Sequence, residues 1–447
     1  MTFRCINLNL EFFIAKRVAL GAKGSFSRFI ASVATAAVAL SIAVMIIATS
    51  LVGGFQDEIR NKVFGFWAHI HILPISNSSI DSEKPISIDQ SFYPNPEKLG
   101  PIKHIQVVAF KGAMIQSETD FEKSILKGVG PDFSWDFFKD YMVKGEVFIV
   151  DTASEINYRP IIISQVTAKR LALDTGQSVI MSIFDMDGRD RSRKFEIVGI
   201  YNTGLEEFDE LFALTDIRII QEINGWEKDE VGGFELFLDE VEMFKSRATS
   251  YFLIAFGWTL NDRLYFRLSK DPIQIYSKEI KSSIAYKPEL TTVSVRDFNP
   301  NIFDWLELQT TNEFLILLIM TGVAIINMIT TLLILILERT QMTGVLKSLG
   351  AKDFSIQKVF LYTGLFILGG GALIGNSIAL LLIFLQKNFD LIKLPEESYY
   401  VSTAPVSLDL SWVLAINFGA ILICLLVLLI PSILVRRINP VKAIRLD

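Results

Sequence analysis

Residues 29–55 read FIASVATAAVALSIAVMIIATSLVGGF, a stretch without Asp, Glu, Lys or Arg. A helix rises 1.5 Å per residue, so about 20 apolar residues cross roughly 30 Å of hydrocarbon. Three further charge-free runs follow: Phe314–Leu337, Val359–Leu385 and Trp412–Val435. They are split one-plus-three around a polar insert, Asp57–Glu313, which is long enough to fold as a domain. This order predicts an α-helical membrane protein with four transmembrane helices. A large mixed α+β domain stands between helices one and two.

Composition supports that reading. Apolar residues make up 51% of the 447, too many for an ordinary soluble two-domain chain. The net charge of −6 conceals an asymmetry. The insert carries 28 Lys and Arg against 41 Asp and Glu, and the remainder 15 against 8. An acidic insert disfavours nucleic acid as a partner. Cys5 and Cys424 both lie outside the insert, which therefore folds without a disulfide.

Lys and Arg near span ends mark the cytoplasmic side. Segment 1–28 carries Arg4, Lys16, Arg17, Lys23 and Arg28. Loop 338–358 carries Arg339, Lys347, Lys352 and Lys358. Tail 436–447 carries Arg436, Arg437, Lys442 and Arg445. Loop 386–411 has Lys387 and Lys393 against four acids. Both termini are expected inside and the insert, 56–313, outside. Run 29–55 exceeds a secretion-signal core and lacks a following small-x-small site, so it is read as a retained span. Ahead of it, Leu8–Arg17 reads either as a short amphipathic helix at the inner interface or as a tail with a few hydrophobes.

Within the insert, His69–Leu73 alternates like a half-buried strand. Lys123–Lys127, Val147–Val150, Tyr265–Leu268 and Thr292–Val295 also read as strands. Val179–Phe184 and Phe195–Tyr201 read as a hairpin across 185–190. Ser164–Leu171 and Thr215–Ile223 read as helices, the second capped by Thr215 or Asp216. Asp185, Asp187 and Asp190 around Gly188 suggest part of a calcium loop, but the far acidic ligand is missing, and a polar turn is the simpler reading. His69 and His71 share a strand face; a packed pair is the simpler reading than a metal site. No catalytic constellation can be assembled, and no metal or catalytic residue is expected.

The most specific local signal is Glu338–Lys352, directly after the second run. Val345, Leu346 and Leu349 form a small apolar face and Gly350 is a plausible helix stop. A helix here would present that stripe to a soluble partner; a tight charged turn is the alternative. In the third run, Gly371 and Gly375 have the spacing that lets helices approach closely, and Gly369-Gly370-Gly371 suggests a bend. No run holds an ionisable Asp, Glu, Lys or Arg, which argues against an ion-coupled transporter. No G-x-x-x-x-G-K-[ST] motif occurs, so ATP hydrolysis would need a separate subunit.

The one-plus-three layout resembles the FtsX/MacB superfamily of ABC-transporter permeases. Glu338–Lys352 resembles its inner-loop pattern, and Arg436–Arg445 its C-terminal "R-(I/L)-x-P-x-x-A-(I/L)-R" tail. Within it, the lipoprotein-releasing LolC/LolE type is most similar. Phe13–Arg17 resembles its "F-I-A-x-R" start, Leu126–Pro131 its "L-x-G-(V/I)-x-P", and Phe195–Gly204 with Phe208-Asp209 its "F-x-V-x-G-(I/L)-(F/Y)-x-(S/T)-G…(Y/F)-D". Ile162–Gly176 and Tyr399–Val406 also resemble family segments. Gly225–Phe266 matches no motif.

The resemblance implies a MacB-like periplasmic core domain and a location in the bacterial inner membrane. It implies a cytoplasmic ABC ATPase dimer, carrying ATP and Mg, and a second permease subunit, self or paralogue. Helix 340–350 would be the coupling helix, with Met342, Gly344, Val345, Leu346, Leu349 and Gly350 at the ATPase contact. Spans one and two would line a cavity for lipoprotein acyl chains, emptied towards a periplasmic carrier. The residues alone also admit a MacB-like export permease, or an FtsX-like scaffold controlling a cell-wall hydrolase.

Overall fold

The computed structural model describes residues 10–20, 26–75, 84–100, 102–117, 120–151, 158–183, 191–239, 272–284, 287–395 and 399–432. The chain divides into two compact units. One comprises Met1–Gln56, Trp305–Ile392 and Ala404–Asp447; the other comprises Asp57–Asp304 and Lys393–Thr403. The tail motif 436–445, the turn 185–190 and the expected strand Tyr265–Leu268 lie outside the described residues.

The first unit is helical. It holds α1 (Leu10–Leu20), most of α2 (Phe26–Trp67) and, further along the chain, four helices whose labels follow below. Three of the four long helices outrun their apolar runs. The first is 42 residues, because Ile59, Val63, Phe66 and Trp67 continue its buried stripe at helical spacing beyond the charge-free stretch.

The second unit is built on β-strands: β1 (Ile70–Pro74), β2 (Ile86–Ser87), β3 (Ile102–Gln116), β4 (Phe121–Val129), β5 (Met142–Gly145), β6 (Pro160–Ser164), β7 (Ser178–Ser182), β8 (Arg193–Tyr201), β9 (Phe212–Asp216), β10 (Glu230–Val231), β11 (Gly233–Leu238) and β12 (Leu290–Ser294). Short helices α3 (Asp136–Asp140), α4 (Gln165–Arg170), α5 (Glu206–Asp209), α6 (Ile217–Asn224), α7 (Pro272–Ser283) and α8 (Val295–Phe298) connect them. The remaining helices are α9 (Pro300–Glu338), α10 (Thr340–Ser348), α11 (Asp353–Phe389) and α12 (Leu410–Ser432). Helices α2, α9, α11 and α12 are each long and apolar enough to cross a membrane.

Ten strands form one sheet, in the order β12-β1-β11-β3-β4-β9-β6-β8-β5 with β7 joining β3 to β8. Because β7 pairs with both, strands β3, β4, β9, β6, β8 and β7 close a ring of hydrogen-bonded neighbours. A closed ring leaves no edge among its members. The β4–β9 and β6–β8 pairs are parallel and need crossovers; the β7–β8 pair is the expected antiparallel hairpin.

Several expectations need correction. Val147–Val150 forms no strand: Phe148 and Val150 turn inward, but the segment gains no ladder after Glu146 donates to the Val198 carbonyl. Strand β1 is buried at every position, because β11 and β12 flank it and its ladder lies inside the unit. Thr215 belongs to β9, and Asp216 caps α6 by accepting from Arg218 N. Ser164 is the cap of α4, not its first turn. Loop 386–411 is divided, with 393–403 joining the outer unit.

In the helical unit, α11 runs unbroken through Gly369–Gly371. A Cβ at Gly371 would lie 2.7 Å from Val38 Cγ1, and one at Gly375 would lie 2.5 Å from the Ala39 carbonyl oxygen. The GxxxG spacing therefore seats α11 against α2 at backbone distance. Asn376 and Asn417 exchange side-chain hydrogen bonds of 2.8 and 2.9 Å between α11 and α12. Two amides that satisfy each other avoid the cost of a lone polar group in hydrocarbon. Segment 10–17 is helical, and Phe12 stacks on Tyr362 and Phe366 of α11.

Candidate functional site

The expected contact helix is present as α10. It follows α9 with one residue between, Arg339, whose carbonyl accepts from Thr343 N. Its end is closed by two bonds, Gly350 N to the Lys347 carbonyl and Ala351 N to the Leu346 carbonyl. Gly350 adopts φ +89°, the left-handed conformation that this closure requires and that glycine takes without strain. Lys347 Nζ, 2.9 Å from Asp353 Oδ1, ties the helix to the start of α11.

The six expected contact residues do not share one face. Val345 is 48% exposed and Leu349 79%, and with Gln341 they make an outward stripe at i, i+4, i+8. Gly350 is exposed and Met342 half-buried. Gly344 is buried and Leu346 packs against the apolar core of the helical unit. Leu346 is half-buried there, so these two positions pack α10 against its own unit.

A second site emerges at the outer end of α2. Phe66 and Trp67 are fully buried there, surrounded by Phe110, Phe138, Tyr201, Phe208, Phe212 and Phe298. The last carbonyls of a helix lack intrahelical partners and carry the negative end of its dipole. Two side chains meet them. Lys127 Nζ donates to the Phe66 carbonyl at 2.5 Å, and His71 Nε2 donates to the Trp67 carbonyl at 2.6 Å.

Lys127 and Glu235 are both 0% exposed and lie 2.8 Å apart. Gln106 donates to the other Glu235 oxygen at 2.7 Å and accepts from Ser134 N. Rings of Phe66, Trp67, Phe110 and Phe133 stand within 6 Å of the ammonium. Burial pushes the Lys127 pKa down, and Glu235 pulls it back up. Burial also lowers His69 to about 3 and His71 to about 4. Both histidines are therefore neutral core residues, with Leu238 N donating to His69 Nδ1. Among the described residues no cluster of His, Cys, Asp and Glu could hold a metal ion.

A third feature gives the Thr203-Gly204…Phe208-Asp209 motif a structural meaning. The Asp209 carboxylate accepts from Thr203 N, Thr203 Oγ1 and Gly204 N at 2.8–3.0 Å. Burial raises its pKa to about 6. Phe208 packs on Phe66 at the end of α2. The motif is a hydrogen-bonded turn beside the helix end. Sequence reading found the motif but not the residue it faces, because Lys62 reads as an ordinary solvated lysine.

A family model described as the FtsX-like permease C-terminal domain matches residues 314–440. One described as the MacB-like periplasmic core domain matches residues 31–233. The chain is similar to the lipoprotein-releasing system transmembrane protein LolC of Xylella fastidiosa, 21% identical over 455 residues, covering 99% of this chain and 98% of that one. LolC of Neisseria meningitidis is 23% identical, covering 95% and 96%. LolE of Haemophilus influenzae is 22% identical, covering 98% and 99%. Among solved structures, the extracellular domain of the noncanonic ABC-type transporter YknZ has a TM-score of 0.28 at 10% identity, covering 50% of this chain and 98% of that one. The periplasmic region of MacB from Actinobacillus actinomycetemcomitans has a TM-score of 0.30 at 11% identity, covering 52% and 91%. With an FtsX-like permease model on its C-terminal helices and a MacB-like core-domain model reaching from its first span into its sheet, the chain is similar from end to end to the LolC and LolE type of FtsX/MacB permease.

Proposed function

We propose that the chain is the permease subunit of an ATP-driven ABC complex that extracts lipoproteins from the bacterial inner membrane towards a periplasmic carrier. Both termini and α10 face the cytoplasm, and the strand-rich unit faces the periplasm. A second permease subunit, self or paralogue, completes the membrane part. ATP and Mg are held by a separate ATPase dimer.

The observation that carries this reading is the outward pair Val345 and Leu349 on α10, in a chain of LolC/LolE type. Two apolar side chains on a short basic-flanked loop suit a groove on a soluble motor. The energetics require such a motor. Each acyl CH₂ contributes about 0.8 kcal/mol to membrane anchoring; one chain binds only reversibly, but a protein held by two or more chains does not leave the bilayer without work. The apolar runs carry no ionisable side chain that could couple the work to an ion gradient. The energy enters at α10 and leaves as movement of the outer unit, a mechanical transmission.

Depletion of the chain followed by membrane fractionation tests the proposal. Lipoproteins are expected to accumulate in the inner membrane. Unchanged lipoprotein sorting, with failed export of another cargo or misregulated cell-wall hydrolysis, would replace it with the export or scaffold reading.

A further inference from the structure

Lys62 lies on the outer part of α2 and is only 5% exposed. Its Nζ donates to the Thr203 carbonyl at 2.7 Å and to the Tyr400 carbonyl at 2.8 Å. It also stands 5.4 Å over the Tyr141 ring. Removing an ammonium from water is costly, and such groups persist where hydrogen bonds hold the charge. Here the charge joins three segments far apart in sequence.

The chain's connectivity gives the junction its meaning. Helix α2 contains the first span. Segment 393–403 is the outer part of the connection between α11 and α12, the third and fourth spans. Thr203 continues β8 into the turn that Asp209 holds rigid with three hydrogen bonds. Segment 393–403 is itself a small hairpin, with Leu394 N donating to the Ser402 carbonyl and a bridge between Lys393 and Thr403. Lys62 thus bonds to the turn and to that hairpin from a single position on α2.

We propose that Lys62 is a positioning residue that joins α2 and the 393–403 hairpin to the Thr203–Asp209 turn, so that displacement arriving through either segment moves β8 and the strand ring together. The Thr203-Gly204…Asp209 motif is then the receiving half of the joint: Asp209 orients the carbonyl that Lys62 grips. This inference rests on the lipoprotein-release reading for what the motion does, but not for the existence of the joint.

The test compares wild type, Lys62→Met and Lys62→Arg in the assembled complex in proteoliposomes. Lys62→Met is expected to hydrolyse ATP at the wild-type rate while lipoprotein released per ATP falls by at least about tenfold, the scale of one charge-assisted hydrogen bond. Lys62→Arg restores most of it. Equal release per ATP in Lys62→Met overturns the inference, as does a proportional fall of hydrolysis and release. Should Lys62→Met fail to assemble, Lys62→Gln replaces it, with the same expectation. Independently of cargo, spin labels at the exposed positions Ser402 and Glu206 report the joint. Their distance distribution should be narrow in wild type and Lys62→Arg and broad in Lys62→Met; equal widths overturn the inference. If wild type hydrolyses ATP and releases no lipoprotein, the functional reading fails, and the label distances decide the joint alone.

Discussion

Lys127 Nζ lies 2.5 Å from the carbonyl oxygen of Phe66, the penultimate residue of helix α2, and both residues are buried in the strand-rich unit. A helix that carries a membrane span thus ends on a buried cation. Glu235 on β11 neutralises that cation, and strands β4 and β11 supply the pair from either side of β3. The hydrogen bond, the ion pair and the aromatic rings fasten the helix end to the sheet.

Breaking this pair by Lys127→Met leaves Glu235 buried without its counter-charge, a change of about 3–5 kcal/mol. The double variant Lys127→Met/Glu235→Leu should be less destabilised than Lys127→Met alone, because no orphan charge remains. Thermal unfolding of the full chain in detergent gives the ordering. A double variant as unstable as the sum of the singles would contradict the buried-pair account.

Acid should loosen β1 and its neighbours. His69 and His71 are depressed in the folded state to about 3 and about 4, so the unfolded chain takes up protons that the folded one refuses. Their contribution is present above pH ~6.5 and is lost as pH falls from there towards 4. Asp209, raised to about 6, acts oppositely: its contribution is complete at low pH and is lost as pH rises through 6. Asp132, also raised by burial, opposes the histidines in the same sense as Asp209, while the two rings beside β1 lose their contribution locally. Amide-exchange protection of β1 in the full chain, corrected for intrinsic rates, should fall between pH 6.5 and 5. Constant protection would contradict the burial of the two rings.

Glycines in α11 should differ sharply from one another. Gly371→Leu and Gly375→Leu place a side chain into Val38 and the Ala39 backbone, at a cost of about 1–3 kcal/mol or more. A Cβ at Gly369 would meet nothing within 4 Å, and Gly369→Leu should be tolerated. Thermal stability in detergent separates the three; equal effects would refute the seating of α11 on α2.

On α10, charge at Val345 or Leu349 should weaken ATPase binding without unfolding the permease, because both side chains point outward. Charge at Gly344 should damage the fold itself, because that residue is buried. Pull-down of the ATPase together with thermal stability distinguishes the two classes. Loss of stability in Leu349→Glu would show that this side chain is packed after all.

The four spans were legible because a charge-free run of more than about 20 residues has few other physical readings. The outer extent of α2 was less so: Asp57, Glu58 and Arg60 interrupt the apolar run, although Ile59, Val63, Phe66 and Trp67 keep the helical period. Lys62 and Lys127 were illegible. A lysine on a polar helix turn or an alternating strand reads as solvated, and only the tertiary arrangement of Thr203, Tyr400, Phe66 and Glu235 makes it a buried tie. The α10 stripe was half legible. Its apolar residues were identified, but Leu346 and Gly344 turn inward because the helix packs on its own unit, which spacing over nine residues does not reveal.

The most direct measurement of the central claim is ATP-dependent release of a labelled lipoprotein from proteoliposomes holding the complete complex, with a soluble acceptor outside. Wild type should release it only with ATP and Mg. Leu349→Glu should leave it in the bilayer, with ATP hydrolysis uncoupled or the ATPase lost. Release by Leu349→Glu at the wild-type rate, or no ATP-dependent release by wild type, would contradict the account.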